Sequence, residues 1–535
     1  MQAIDQSIRD HILNQLSSMI IRAPAGSGKT HLLVARFIKC LEQCQTPDRV
    51  FAITFTKKAA EEMKHRVLSA LKDNTTLAPS LRNEILSQPH LLNIFTIDGL
   101  CHQIAFSQPD ISELSPDARL LNHPWPLYET AAKRVLLRHQ HSEALSTLIT
   151  LNHGYVDRML RLLTELLATR SQWIRLMARG QSDLILALEH HFHQIHQQYV
   201  DELINSFPEE HQESLLHLMN HCFEHLKCSF DATSLFHQNR HTLEAWQQVK
   251  ALWLTQKNTW RQSLNKKQGL LPQHKHEKQM MMQLMNALQQ EHTDWIQHLL
   301  DVDIIPCPSL SEDQSNHLSL LTGLLPQLFA ELKCVFSEHE VTDFNDISHA
   351  AQWALNQPSE VIERWVNNID HLMIDEFQDT SQQQWDLIQT ITQHWDEHDG
   401  KTLFLVGDPM QSIYLFRQAD VRLFIQLFSG NHSLKALSLS QNFRANAHCV
   451  YWANTLFQKL FPNQAHLSYA AIPFHSSHPI HPESERVRLF GCDSEQDEID
   501  QVIRDIQVKS QSGSVAVLTR TRAQLNQIAT RAQQA

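Results

Sequence analysis

Glycine is scarce in this chain, with 12 in 535 residues where an average composition holds roughly 7%. Two glycines inside one short loop are therefore not filler. Cysteine is present but unframed: nine residues are scattered without paired spacing, which excludes a disulfide scaffold. Positive charge is in deficit. The formal net charge of −13 excludes a broadly basic coat for nucleic acid, while leaving room for a local basic groove on an acidic body. Long apolar runs are also lacking, with none near the roughly 20 residues of a membrane span. Asp5, Arg9 and Asp10 interrupt the first periodic segment, unlike a secretory leader. These absences lead to the expectation of no membrane partner and a reducing, cytoplasmic setting. The length suggests about three or four domains.

What the chain does have is concentrated between Ile20 and Arg36, where an apolar run, a small-residue turn and helix formers read as strand, loop and helix. The turn is Ala23-Pro24-Ala25-Gly26-Ser27-Gly28-Lys29-Thr30, followed by His31. It fits the phosphate loop G-x-x-x-x-G-K-[ST] except at its first position, where alanine stands. Gly26 and Gly28 let backbone N–H groups turn inward around a polyphosphate, and the helix from Lys29 adds its positive end. Lys29 would hold β/γ-phosphates and Thr30 a magnesium ion. An ordinary glycine turn before a helix does not require the G-K-T ending.

Elsewhere the α/β texture comes in two blocks. Residues 5–17 have helical spacing, and Gln6 lies where its amide could read an adenine edge, although alone it reads as a surface glutamine. Val50–Phe55 and Leu92–Thr96 read as strands, which puts Thr56, Lys57, Thr96 and Asp98 at strand ends, where parallel sheets gather ligands. From Ile104 to Glu340 the pattern becomes amphipathic helix with four glycines and no strand alternation. Breaks at Pro124-Trp125-Pro126 and Ile305-Pro306-Cys307-Pro308 read as loops. Two features in this stretch invite a binding role. His217, His221, His225 and Cys228 share a helix face, but four ligands on one straight helix cannot close a tetrahedron, so a solvated face is the better reading. Lys257, Arg261, Lys266 and Lys267 with Trp253 and Trp260 read as charged surface rather than a nucleic-acid contact. After Val341 the strands return. His371-Leu-Met-Ile delivers Asp375 and Glu376, a pair suited to holding a metal and polarising water. Thr402-Leu-Phe-Leu-Val leads into Gly407 and the segment Gln411-Ser-Ile-Tyr414-Leu-Phe416-Arg417, and Leu434–Leu439 leads into Gln441-Asn-Phe443-Arg444.

Together A-P-A-G-S-G-K-T, T-F-T-K-K-A-A-E-E-M, F-T-I-D-G-L-C, M-I-D-E-F-Q-D-T-S, V-G-D-P-M-Q-S-I-Y-L-F-R-Q-A-D and L-S-Q-N-F-R resemble the superfamily 1 DNA helicases of the UvrD, Rep, RecB and AddA group. The resemblance covers roughly residues 20–100 and 340–450. Its long helical insertion is closer to RecB and AddA than to UvrD and Rep. It implies an α/β P-loop NTPase fold: a RecA-like parallel sheet with a large all-helical insertion and the start of a second α/β domain. The corresponding divisions are 1–103 and 341–465 for the RecA-like domain, 104–340 for the insertion, and 466–535 for a linker and the opening of the second motor domain.

For the site, the resemblance implies that ATP and Mg2+ bind at the Ala23–His31 loop. Thr30 and Asp375 would hold the metal, Glu376 would be the base, and Gln411 and Arg444 would be directed at the γ-phosphate. Gln6 and Phe443 would frame the adenine. Phe55, Thr56, Thr96, Tyr414, Phe416 and Arg417 would line the path of single-stranded DNA, while Asp98 departs from the family's usual histidine. The expected activity is 3′ to 5′ translocation and unwinding in recombination or double-strand-break repair, with single-stranded and duplex DNA and a second helicase–nuclease subunit of the RecC, RecD or AddB kind as partners. The second-domain arginine and a nuclease domain are not found, so the chain is expected to bind nucleotide and hydrolyse it poorly alone. Arg486–Phe490 and Ser514–Thr519 resemble opening strands of the second domain. A UvrD- or Rep-like repair helicase and a non-catalytic ATP- or DNA-binding module are the alternatives.

Overall fold

A computed structural model of the chain describes residues 3–534 apart from 113, 152, 175–180, 238–240, 292, 306–309, 397, 416–417, 431–433, 463–469 and 483–485. The chain clusters into two compact units. One comprises Met1–Ile94, Ile369–Thr380 and Trp395–Ala535, the other Phe95–Asn368 and Ser381–His394.

The first unit is built on a parallel sheet. Its strands are β1 (Met19–Arg22), β2 (Val50–Thr54) and the edge strand β3 (Asn93–Thr96). Two short strands, β4 (Arg119–Leu120) and β5 (Val341–Thr342), pair with each other in the second unit. The sheet is completed by β6 (His371–Ile374), β7 (Thr402–Gly407) and β8 (Lys435–Ser438). Its order is β3-β2-β6-β7-β1-β8, and the ladders β2–β6, β6–β7, β7–β1 and β1–β8 are parallel. Every residue of β2, β6 and β7 is buried, as expected for strands covered on both faces that read as unbroken apolar runs. The one imidazole among them, His371, faces Thr402 Oγ1 at 2.8 Å, and burial pushes its pKa down to about 4.

Three helices position the loops around this sheet: α1 (Gln6–Asn14), α2 (Lys29–Cys44) and α3 (Lys57–Lys72). Ile12, Leu33, Phe37, Met63 and Val67 share one core with the sheet. Arg36 is wholly buried on α2. It donates to the carbonyls of Ile12, Gln15 and Ser17 at 2.5, 3.2 and 2.7 Å, so the open carbonyls where α1 ends are satisfied by a neighbouring helix. Beyond β8, β9 (Gln441–Asn446) and β10 (His478–His481) form a separate parallel pair, a pairing the sequence pattern did not reveal.

The second unit is helical around two apolar cores, one including Tyr128, Leu163, Leu328 and Val335, the other Phe207, Trp246, Trp253 and Trp295. A buried Arg170–Asp343 ion pair joined by Tyr128 Oη lies beside the first. The helix Glu312–Glu338 is long and apolar enough to cross a membrane by length and composition, although its apolar residues form no unbroken run. Leu324, Leu325, Leu328, Leu332, Val335 and Phe336 place one stripe of it in the core, and Glu331, buried on it, is ion-paired with Arg134 and Arg138.

Three expectations need correction or limit. Pro124-Trp125-Pro126 is a helix start rather than a loop, because prolines in the first turn lack only an N–H that has no intrahelical partner there. Residues 486–490 and 514–519 form no ladder among the described residues. Leu489 and Leu518 are exposed, and a strand-like segment without a partner to take its backbone hydrogen bonds does not make a strand. The break at Pro306-Cys307-Pro308 lies outside the described residues. The aromatics suggested beside the basic run are structural: Trp253 is fully buried and its Nε1–H donates to Met281 Sδ at 3.2 Å.

Candidate active site

The phosphate loop leaves β1 with Ala23 N–H bound to Gly407 O at 2.8 Å. Gly26 and Gly28 adopt φ of +75° and +79°, a region in which a side chain is strained. Gly26 has a second constraint: a Cβ there would lie 2.6 Å from Asn442 Oδ1 and 2.9 Å from Arg444 Cβ. The Q-N-F-R segment is clasped onto the loop, with Phe443 N–H donating to Gly26 O at 2.7 Å and Asn442 Nδ2 to Ala25 O at 2.9 Å. Gly28 caps α2 without a side chain, leaving the first N–H groups of that helix available to an anion.

The acidic pair meets this loop directly. Lys29 Nζ lies 2.9 Å from Glu376 Oε2, so residues 347 positions apart open onto one place. Glu376 sits at φ +52° at the end of β6, a strained turn that aims its carboxylate, and Gln378 Nε2 donates to the same oxygen at 2.9 Å. Burial, then the neighbouring Glu376 charge, raises Asp375 to about 6, and the same two causes in the same order raise Asp379 to about 6. Burial also pushes Asp408 up. Several carboxylates thus share one lysine, an arrangement that fits a divalent cation. The fit to a polyphosphate is supported by Ser27 Oγ, which is buried and has no hydrogen-bond partner among the described residues.

Gln378 is the hub that the sequence pattern missed. Its Oε1 accepts from Asp408 N–H at 2.9 Å, and a Cβ on Gly407 would meet that oxygen, so a side chain at 407 would displace the Gln378 amide from this hydrogen bond. Ser412 Oγ donates to Gln378 O at 3.2 Å, while Gln411 Nε2 donates to Asp408. Asp5 and Arg9 were also missed as organising residues. Asp5 Oδ2 accepts from Ser440 and Gln441 N–H at 2.8 and 3.0 Å. Arg9 binds Asp5 at 2.7 Å and Ser27 O at 2.8 Å, and its guanidinium lies 4.9 Å from the Phe443 ring centroid. An acid and a base four apart read as a surface helix pair, and nothing local marks them as reaching the phosphate loop.

The remaining predicted residues divide. Phe55 and Tyr414 come together, with ring centroids 4.3 Å apart. Thr56 Oγ1 accepts from Ala59 N–H and caps α3, while Thr96 Oγ1 accepts from Gly99 N–H and caps the helix Ile97–Ser107. Gln6 Nε2 donates to Asp10 at 2.8 Å on its own helix. His31 and Arg444 are exposed. Phe416 and Arg417 lie outside the described residues.

The family described as the UvrD/REP helicase N-terminal domain matches residues 4–430. This chain belongs to it. Relatives of this UvrD-type chain include an ATP-dependent helicase/nuclease subunit of Staphylococcus epidermidis (strain ATCC 12228), 25% identical over 544 residues. Its counterpart of the same name in Staphylococcus aureus (strain USA300 / TCH1516) is 26% identical over 552 residues. Each alignment covers 91% of this chain and 43% of the relative, so the chain spans less than half the length of the curated relatives it matches. The UvrD-type match extends through the helical stretch between the phosphate loop and Asp375 as well as through the motifs themselves.

Proposed function

We propose that this chain carries the ATP site and part of the DNA track of an ATP-dependent helicase of the RecB/AddA type, acting 3′ to 5′ on single-stranded DNA during recombination or double-strand-break repair. The observation that carries this reading is the 2.9 Å approach of Lys29 to Glu376, which joins a phosphate loop to a metal-and-base pair. The two-part α/β domain with its helical insertion, divided near residues 103, 340 and 465, is proposed on the same resemblance.

Residues of the Ala23–His31 loop bind the phosphates through backbone N–H groups and Lys29. Thr30 and Asp375 hold magnesium, which when bound screens charge on the phosphoryl oxygens. Glu376 takes the proton of the attacking water as its oxygen bonds to the γ-phosphorus and the bond to the β–γ bridging oxygen breaks, leaving ADP and phosphate. Lys29 can serve either Glu376 or a phosphate oxygen, so phosphate binding frees the base. Gln411 and Arg444 orient the γ-phosphate, and Phe443, with Gln6 on α1, frames the adenine. The Phe55–Tyr414 pair, with Thr56, Thr96, Phe416 and Arg417, lines the DNA path, where stacking tolerates any base and so permits stepping. The relatives are named as subunits of a helicase/nuclease, which supports a second protein chain as partner, and the action on DNA supports a cytoplasmic site of work.

The test is nucleotide binding and DNA-stimulated ATP hydrolysis by the chain and two variants. Glu376→Gln is expected to keep Mg-ATP affinity within a few-fold and to lose the turnover of the complete motor, whereas Lys29→Ala loses binding. Normal ATP affinity in Lys29→Ala would refute the assignment.

A further inference from the structure

We propose that His221, His225 and His274 form a site for one borderline divalent transition-metal ion, zinc by preference, which fastens the segment 265–274 to the helix Glu209–Leu226. His221 and His225 stand one turn apart on that helix. The third ligand comes from a different segment, just before the helix Lys275–Glu291, and this removes the objection that ligands on one straight helix cannot surround an ion. His221 Nε2 lies 2.9 Å from His274 Nδ1. The three rings stand with centroids 4.6, 4.3 and 5.0 Å apart, and one ligand nitrogen from each falls within 4.8 Å of the others.

Nitrogens bound to a common zinc at about 2.0–2.1 Å lie roughly 3–3.5 Å from each other. The trio is within reach of that geometry by rotation of the side chains. The backbone carrying it is already fixed. Gly269 has φ +80°, and a Cβ there would lie 2.9 Å from Cys222 O, so the segment lies flush on the helix next to His221. Asn265 and Gln268 close a capping box at its start, and Leu270 is buried in the same core as Cys222. Leu271 N–H donates to His274 Nδ1 at 3.2 Å, holding the ring until an ion takes that nitrogen. Three imidazoles suit zinc, copper or nickel and are poor ligands for magnesium, so this site is chemically distinct from the one at Asp375. The fourth position falls to water or to Glu277, three residues beyond His274.

The test uses the full chain, stripped of metal with a chelator and titrated with cobalt(II). One equivalent is expected to give the visible d–d bands of a four-coordinate nitrogen and oxygen site without a thiolate charge-transfer band, and zinc is expected to displace it. His225→Ala, at an exposed position, and His274→Ala should each weaken cobalt binding by at least about 100-fold, while His217→Ala, exposed on the same helix, leaves it unchanged. Zinc should also slow amide exchange in residues 265–274 of the parent and not of His225→Ala. Absence of a stoichiometric cobalt site, a thiolate band, or equal affinity in the parent and the folded His225→Ala variant would overturn the proposal.

Discussion

Asp375→Asn should stabilise this chain in the absence of magnesium and nucleotide, because its carboxylate is held at a place that suits a cation better than it suits folding. Burial, then the charge of Glu376, lifts its pKa from 3.8 to about 6. The sign follows from linkage. The unfolded chain ionises first as pH rises, so the cost to folding is absent below 3.8, grows up to about 6 and is constant above. About two units at roughly 1.4 kcal/mol each give about 3 kcal/mol. The carboxylate keeps some solvent contact, and screening trims this to about 1–2 kcal/mol. Asparagine preserves the acceptor that Glu376 N–H uses at 3.0 Å, so no hydrogen bond is lost. Urea unfolding at pH 7.5 should show the gain, and at pH 5 the gain should be about half as large. Glu376→Gln should gain less, since relief of its repulsion with Asp375 is offset by loss of the 2.9 Å ion pair with Lys29. Magnesium with ATP should raise the midpoint of the parent and not of Asp375→Asn. A variant less stable than the parent at pH 7.5, or a gain independent of pH, would refute the electrostatic account of this site.

Gly26→Ala should lower ATP affinity at least tenfold and cost about 1–3 kcal/mol of stability, since positive φ and the approach of Asn442 and Arg444 both oppose a Cβ; calorimetric titration and unfolding check both. Tyr414→Ala should weaken binding of single-stranded DNA by about 1–3 kcal/mol, the worth of one stacked base, measured by fluorescence anisotropy, with ATP affinity unchanged. Arg170→Met should destabilise the helical unit by about 3–5 kcal/mol because Asp343 is left buried and unpaired, seen as an earlier unfolding transition.

The parts of this fold that could be read from sequence are those set by local pattern. Unbroken apolar runs such as Thr402-Leu-Phe-Leu-Val mark strands buried on both faces, and the G-K-T and D-E elements carry their chemistry in adjacent residues. What escaped the pattern is set by contact across long stretches of chain. Asp5 reaches residues 440 and 441, and β10 pairs with β9 from a segment containing a proline, a residue that argues against a strand. The strand that the resemblance implies at Ser514–Thr519 is not formed for the complementary reason, since likeness to a strand segment does not supply the neighbouring strand its backbone needs. Thr56 and Thr96 stand at strand ends as expected, yet their hydroxyls are engaged in capping helices, so the backbone around them is held by the very atoms assigned to DNA.

The arrangement around Gln378 explains how one site could sense both nucleotide and DNA. Its amide nitrogen holds Glu376, its amide oxygen holds the backbone after Gly407, and its carbonyl accepts from Ser412. Two residues beyond Ser412, Tyr414 packs on Phe55 at the end of β2. The base and the aromatic pair are therefore linked through one buried amide and a short run of backbone. If phosphate draws Lys29 from Glu376, that carboxylate keeps Gln378 as its remaining neutral partner, and a change in its position is passed to the 411–414 segment. Replacing Gln378 with leucine would alter no residue assigned to ATP or DNA while releasing Glu376 and the backbone after Gly407 from this link, and the expected signature is loss of DNA stimulation with ATP affinity retained.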